Sequence, residues 1–193
     1  MAVPAVQPGV IIESDGSPVK IRLRRVRDSD ADDLAQAWRD QGEVYAALDP
    51  QAFTVPPPDG LGPWLVDGLA SQADPDHRLV LVADVDGRAL GFIVAAVVPP
   101  HDAADRQTHR DLASPRVRIE ALAVRRAHWR SGVGTRLVEA AENWARNRGA
   151  ASIGVQAFVR GPARDFLDAL GYVPQATVLG KRLEPREHRA PRD

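Results

Sequence analysis

The stretch from Val117 to Phe158 constrains the fold more than any other part of the chain. Val117–Val124 reads as a strand. A loop follows, and Gly132-Val133-Gly134 opens a helix that runs to Arg148. Val133, Leu137, Ala141 and Trp144 share one face of it, with Arg136, Glu139, Asn143 and Arg146 away from that face. Gly149 is placed to end the helix, and Ala151–Phe158 is the next strand. Upstream, Arg78–Asp84 and Ala89–Val98 are apolar runs joined by Asp86-Gly87, a hairpin signal. A fully alternating parallel sheet cannot hold that hairpin. The chain therefore reads as α+β, a mixed α/β three-layer sandwich whose central, mostly antiparallel sheet is flanked by helices.

The remaining elements fill in around this frame. Residues 1–18 read as an N-terminal tail with a short strand at Val10–Ile12, residues 19–183 as one domain, and 184–193 as a polar tail. Lys20–Arg27 alternates as a half-buried strand. Asp28-Ser29-Asp30 offers caps for a helix over Ala31–Arg39, with Leu34, Ala35 and Trp38 on one face. Residues 42–60 read as a loop, and a short helix fits Pro63–Ser71. Residues 99–115 read as a long exposed loop. A helix over Pro162–Leu170 stops at Gly171, Tyr172-Val173 begins another strand, and Ala176–Leu183 is a last one.

Composition removes several kinds of function. The 193 residues contain no cysteine, so disulfides, thiolate metal sites and thiol nucleophiles are all excluded. With 25 basic and 26 acidic side chains the formal net charge is −1, which gives no reason to expect nucleic-acid binding. No apolar run reaches about 18 residues, so no membrane span is expected. The first residues lack the pattern of a signal peptide, and a cytoplasmic protein is expected. His101, Asp102, Asp105 and His109 match no ligand spacing on a helix face, and no metal is expected.

The chemistry gathers where the strand meets the helix. The first N–H groups of a helix lack internal partners and carry partial positive charge. Glycines there let an anion approach the main chain, so Gly132-Val133-Gly134 is an anion cradle. A P-loop needs Gly-Lys-Ser/Thr, which is absent. A dinucleotide site needs Gly or Ala where Leu137 stands, glycines directly after the strand, and an acid at the next strand's end, where Gln156-Ala157-Phe158 lie. A helix start that merely needs glycine is the plainer alternative.

Leu122-Ala123-Val124, the loop, Gly132-Val133-Gly134 and Leu137, followed by Ala163-Arg164-Asp165-Phe166-Leu167-Asp168-Ala169-Leu170-Gly171-Tyr172, resemble the two cofactor motifs of the GNAT family of acetyltransferases. The resemblance runs from Ile21 to Leu183 and implies a GNAT-like acyl-CoA N-acyltransferase fold. It implies that acetyl-CoA is the acyl donor. Its pantetheine would pair with the main chain of Leu122, Ala123 and Val124 as an added strand. Its pyrophosphate would accept N–H bonds from the turn formed by Trp129, Arg130, Ser131, Gly132, Val133, Gly134 and Thr135, with Arg130 and Arg125 or Arg126 adding charge. Arg160, Ala163 and Phe166 belong to the second motif. The strands at Val117 and Ala151 would splay around the thioester, and a primary amine would attack it directly in a ternary complex.

The pattern is departed from at three positions. Trp129 stands where the family often has Gln or Arg, Arg160 where it often has Asn, and Leu167 where a tyrosine commonly serves as general acid. A thiol of pKa about 8.5 leaves tolerably without one. Glu120, read two residues before Leu122 on the same strand face, is the candidate base, its pKa raised by burial and its action relayed by water. The alternatives are an anchor for the substrate's cation, or an ion pair with an arginine such as Arg22 or Arg24. The segment Trp38–Trp64 would form an acceptor wall, and its acids Asp40, Glu43, Asp49 and Asp59 would favour a cationic amine. A non-catalytic acyl-CoA-binding sensor or interaction module is the competing function, supported by Leu167. A homodimer through paired sheet edges is a third reading.

Overall fold

The computed structural model describes residues 10–12, 18–108, 110–158, 160–176 and 178. These form two compact units, residues 1–157 and 158–193. In the first, the Asp86-Gly87 hairpin sets the sheet. Both residues have positive φ, 49° and 86°, the mirror-image turn that suits the twist of paired strands. The strands they join are β4 (Arg78–Val85) and β5 (Arg88–Val98), as expected. β3 (Arg22–Arg24) pairs antiparallel with β4, β6 (Arg116–Val124) antiparallel with β5, and β7 (Ser152–Val155) parallel with β6, giving the order β3-β4-β5-β6-β7. The strand expected over Lys20–Arg27 is divided: β1 (Val10–Ile12) and β2 (Pro18–Lys20) form a separate small pair, and only β3 joins the main sheet.

Helices cover both sheet faces, which is why β4 and β5 are almost continuously buried. α1 (Ala31–Leu48) and α2 (Leu61–Gln72) pack Leu34, Ala37, Leu65 and Leu69 against Val80, Val82, Phe92, Val94 and Ala123. Trp38 sits on Phe92 with ring centroids 5.9 Å apart. The alternate positions Ala83, Val85, Ile93 and Ala95 are buried on the opposite face. There α3 (Val133–Asn147) presents Val133, Leu137, Val138 and Ala141. The result is the expected mixed, mostly antiparallel sheet flanked by helices.

α1 runs to Leu48 rather than stopping at Arg39. Residues 42–60 read as a loop in sequence, but Gly42 is a close-approach site within the helix: a Cβ there would lie 2.9 Å from Pro56 Cδ, so glycine lets the following loop lie against the helix. Gly91 has the same role between strands, where a Cβ would lie 2.4 Å from the Ala123 carbonyl oxygen. Trp64, at the end of the expected acceptor wall, is 63% exposed. The loop at 99–115 contains two 3-10 turns, Ala104–Arg106 and Arg110–Ala113.

In the second unit α4 (Pro162–Ala169) begins with proline in its first turn and carries an Arg164–Asp168 pair at 2.7 Å. Tyr172-Val173 does not form the expected strand: the Tyr172 N–H turns back to the Leu167 carbonyl at 3.0 Å and closes the helix end. Of the last expected strand, all but Ala176 and Val178 lies outside the described residues. Among the described residues no helix is long and apolar enough to cross a membrane.

Candidate functional site

β6 is the strand on which the site is built. β7 pairs with it only over Arg116–Ile119, so from Glu120 to Val124 no strand pairs with that side among the described residues. Strand geometry decides which groups face the opening. The Arg125 N–H bonds the Leu90 carbonyl of β5 at 2.8 Å, so the main-chain groups of Arg125, Ala123 and Ala121 face β5. Those of Leu122 and Val124 face the open side. The Val124 carbonyl there accepts the Trp129 indole N–H at 2.7 Å.

The loop after β6 turns through Arg126–His128 and enters α3 with alternating backbone handedness. Arg130 (φ 61°) and Gly132 (φ 89°) are left-handed, an arrangement that turns successive N–H groups into one concavity. Ser131 Oγ donates to the His128 carbonyl at 2.6 Å, and the first helical bond is Arg136 N–H to the Gly132 carbonyl at 3.0 Å. The N–H groups of Ser131, Gly132, Val133, Gly134 and Thr135 find no acceptor among the described residues. The expected anion cradle thus corresponds to a run of N–H groups at the start of α3 that lack acceptors among the described residues.

Its charge is arranged differently from the expectation. Arg125 pairs with Asp33 at 3.1 Å. Arg126 pairs with Glu43 at 2.9 Å, lies 5.3 Å from the Trp129 ring centre, and gives its N–H to the buried Asp40 at 2.6 Å. Both arginines hold the loop against α1. Arg130 is exposed with no ion pair among the described residues, and is the cation open to a ligand at the cradle. Burial alone would raise the Asp33 carboxyl. Hydrogen bonding to Arg88, the charges of Arg125 and Arg88, and the Ala89 N–H outweigh it and hold the group below its ordinary range.

The acidic acceptor wall is corrected by the same contacts. Asp40 and Glu43 hold Arg126, and Asp49 accepts the N–H groups of Gln51 and Ala52 at 3.1 Å, closing the turn after α1. Asp59 alone of the four is an exposed loop charge with no partner among the described residues. The sequence reading missed Asp33 and Asp40 as loop clamps, because ion pairs between segments so far apart leave no local pattern.

Glu120 is also placed differently. Ala121 pairs with Val94 and Ile119 with Ala95, which leaves Glu120 as the extra residue of a β-bulge. The bulge breaks the alternation that would put Glu120 and Leu122 on one face. Leu122, opposite Ile93, lies on the α3 side. The Glu120 carboxylate turns to the α1–α2 side, where it accepts from Arg118 Nη2 at 2.9 Å and from Arg78 Nη2. Its side chain is 21% exposed. Of the roles open to Glu120 in sequence, its contacts favour the ion pair, with Arg78 and Arg118 in place of Arg22 or Arg24. Arg22 and Arg24 pair with Asp84 instead, at 3.3 and 2.6 Å.

Arg160, Ala163 and Phe166 lie in the second unit, just before α4 and one turn apart on it, with Leu167 its buried residue. Among the described residues no cluster of three or more His, Cys, Asp or Glu side chains is arranged to hold a metal ion; His109 falls outside them.

The sequence model of the acetyltransferase (GNAT) family matches residues 33–172. No curated protein matches the chain significantly. Among solved structures the chain is similar to a tetramutant of the BH1408 protein from Bacillus halodurans, at 18% identity and a TM-score of 0.67, covering 84% of this chain and 99% of that one. It is similar to AAC(6')-Iy in complex with the bisubstrate analogue CoA-S-monomethyl-acetylneamine, at 20% identity and a TM-score of 0.54, covering 86% and 99%. It is also similar to an aminoglycoside acetyltransferase, meta-AAC0020 from an uncultured soil metagenomic sample, in complex with sisomicin, at 18% identity and a TM-score of 0.51, covering 86% and 97%. At such identities the likeness is one of fold.

Proposed function

The chain belongs to the acetyltransferase (GNAT) family, and we propose that it transfers an acetyl group from acetyl-CoA to a primary amine by direct attack in a ternary complex. The observation that carries this reading is the open edge of β6 at Leu122 and Val124, leading into the unsatisfied N–H groups of Ser131–Thr135. An extended pantetheine amide chain can pair with such an edge. A pyrophosphate suits converging N–H donors at a helix start, with Arg130 beside them. Among the structural neighbours, AAC(6')-Iy was solved with a CoA-linked bisubstrate analogue, which is in keeping with the same reading.

In the reaction the amine nitrogen forms a bond to the thioester carbon, the carbon–sulfur bond breaks, and the thiolate leaves. The nitrogen must first lose a proton, since an alkylamine of pKa about 10.4 is mostly protonated near neutrality. A carboxylate held by two guanidiniums is a weak proton acceptor. Glu120 on this reading orders Arg78 and Arg118 at the mouth of the gap, and its part as a base through water is the feature to be tested. Leu167 has no proton to give, and a thiol of pKa about 8.5 leaves tolerably without an acid. The competing reading, a non-catalytic acyl-CoA-binding module, draws on the same Leu167.

Calorimetric titration with acetyl-CoA, with CoA and NAD as comparisons, tests the cofactor. Binding of acetyl-CoA and not of NAD is expected, followed by thiol release with a panel of amines. No binding of acetyl-CoA would refute the proposal, and binding without turnover of any amine would favour the sensor. If Glu120 is the base, Glu120→Gln lowers turnover at neutral pH and keeps cofactor affinity; unchanged turnover removes it from that role.

A further inference from the structure

We propose that the acceptor carries an anionic group, a carboxylate or a phosphate, beside its amine, and that Arg78 and Arg118 bind it. This deepens the acetyl-transfer reading and rests on it.

The strand register carries the argument. Arg78 pairs with Ala96, Ala96 with Arg118, and Arg118 with Gly154. These four residues form one row across β4, β5, β6 and β7, with neighbours spaced about 4.8 Å apart. Arg78 shares the parity of Val80 and Val82, so the row faces the α1–α2 side of the sheet. Two guanidinium side chains therefore flank the Ala96 methyl, and Gly154 lies just beyond Arg118 on β7. Space above Gly154 is open: a Cβ there would meet nothing within 4 Å. The row lies next to Glu120, where β6 and β7 part and where the thioester is expected.

Charge along this face is unbalanced. The single Glu120 carboxylate answers both Arg78 and Arg118. Arg116 has the same parity as Arg118, one row further along β6. The Nε atoms of Arg78 and Arg116 are buried with no acceptor among the described residues. Among the described residues three guanidiniums face one carboxylate. Beside the row is a cavity of about 410 Å³, lined by Ser71, Gln72, Asp74, His77, Arg78 and Ala96. Its one acid, Asp74, is held by the Asp76 N–H and by His77 at 3.0 Å. The cavity is large enough for a small metabolite, and its wall offers guanidinium, hydroxyl and amide groups.

Guanidiniums with free donors recognise carboxylates and phosphates, often with two bonds at once. A polycationic acceptor such as an aminoglycoside would instead meet like charge at the entrance, and like-charge contacts discriminate strongly. Of the acids that seemed to favour a cationic acceptor, all but Asp59 hold other parts of the fold. An amino acid, an amino-terminal residue with a nearby acid, or an aminoalkyl phosphate fits the face that remains.

The test is a thiol-release assay of the full chain with acetyl-CoA. The acceptors are L-lysine, L-glutamate and L-phenylalanine, their carboxamides, two aminoalkyl phosphates, spermidine and sisomicin. The anionic acceptors are expected to exceed their uncharged or cationic counterparts at least tenfold in kcat/KM, and the phosphate arm identifies which anion is preferred. Arg118→Gln and Arg78→Gln should raise KM for the anionic acceptors at least tenfold, shrink the preference for each acid over its own carboxamide to about twofold, and leave calorimetric acetyl-CoA affinity unchanged. Equal use of acids and amides, preference for spermidine or sisomicin, or an unaltered preference in both variants would overturn the proposal while the acetyl-transfer reading stands. Failure of acetyl-CoA to bind at all would remove that reading and this proposal with it.

Discussion

Replacing a glycine by alanine should have opposite effects at two positions, and the difference tests how β6 is held. At Gly91 an added Cβ would lie 2.4 Å from the Ala123 oxygen, 2.9 Å from Val124 Cα and 3.1 Å from Val124 Cγ2. Ordinary carbon contacts need roughly 3.5 Å, so β5 and β6 must part by about 1 Å. The obstacles are mainly main-chain atoms, which cannot swing aside, so the cost belongs at the upper end of overpacking, about 3 kcal/mol. For a chain of this size that lowers Tm by roughly 6–12 °C. At Gly68, inside α2, the nearest atom to an added Cβ is Gln72 Nε2 at 3.8 Å. Alanine there should stabilise by about 0.5–1 kcal/mol, raising Tm by roughly 1–4 °C. The two variants also separate stability from function. Gly91 is opposite Val124, so Gly91→Ala should weaken acetyl-CoA binding severalfold at a temperature where both variants are folded, and Gly68→Ala should not. Circular-dichroism melts and calorimetric titration read both effects. A Gly91→Ala protein that melts like the parent and binds like it would refute the close β5–β6 approach and the edge built on it.

Three further expectations follow from the same contacts. Burial alone would raise the Asp33 and Asp84 carboxyls, but hydrogen bonds and charge from Arg88 and Arg125 at one, and from Arg24, the Gly87 N–H and Arg22 at the other, leave both below the ordinary value of 3.8. Their stabilisation is complete above about pH 4 and is lost as pH falls through the lowered folded-state values; urea midpoints should decline in that acid range, and a midpoint at pH 3 equal to that at pH 6 would contradict the pairing. Gly134→Asp should weaken acetyl-CoA about tenfold or more through steric and charge conflict with the pyrophosphate, whereas unaltered affinity would put the cradle elsewhere. Trp129→Phe keeps a ring beside Arg126 and removes the N–H bonded to Val124, costing about 0.5–1.5 kcal/mol of stability; acetyl-CoA affinity should fall severalfold because one tie that holds the loop is lost, and affinity equal to or above the parent's would show that the loop keeps its shape without it.

The features that sequence made legible are the local ones. The hairpin at Asp86-Gly87, the amphipathic face of α3 and the glycines at its start each carry their cause within a few residues. The misread features depend on distant partners. Glu120 alternates with Leu122 along the chain, yet the extra residue in its ladder with β5 turns it to the other face. A bulge is a property of pairing, and nothing in Ile119-Glu120-Ala121 announces it. Gly42 shows no local sign that it makes room for Pro56 instead of ending α1. Arg125 and Arg126 look like phosphate ligands until Asp33, Asp40 and Glu43 arrive from α1.

Those misread arginines explain how the cradle keeps an unfavourable shape. A left-handed Arg130 costs about 1–2 kcal/mol, and a row of unsatisfied N–H groups favours collapse of the loop onto any acceptor nearby. The loop is held against that tendency at both ends. The buried Asp40 takes the Arg126 N–H, Asp33 holds the Arg125 side chain, and Trp129 reaches back to Val124. Hydrogen bonds involving charge contribute about 1.5–3 kcal/mol each, so these contacts together outweigh the strain they maintain. α1 thus fixes the geometry of a turn that belongs to β6 and α3. On the proposed reading the donors of Ser131–Thr135, which find no acceptor among the described residues, are left for an anion, which would bind without first having to bend the loop.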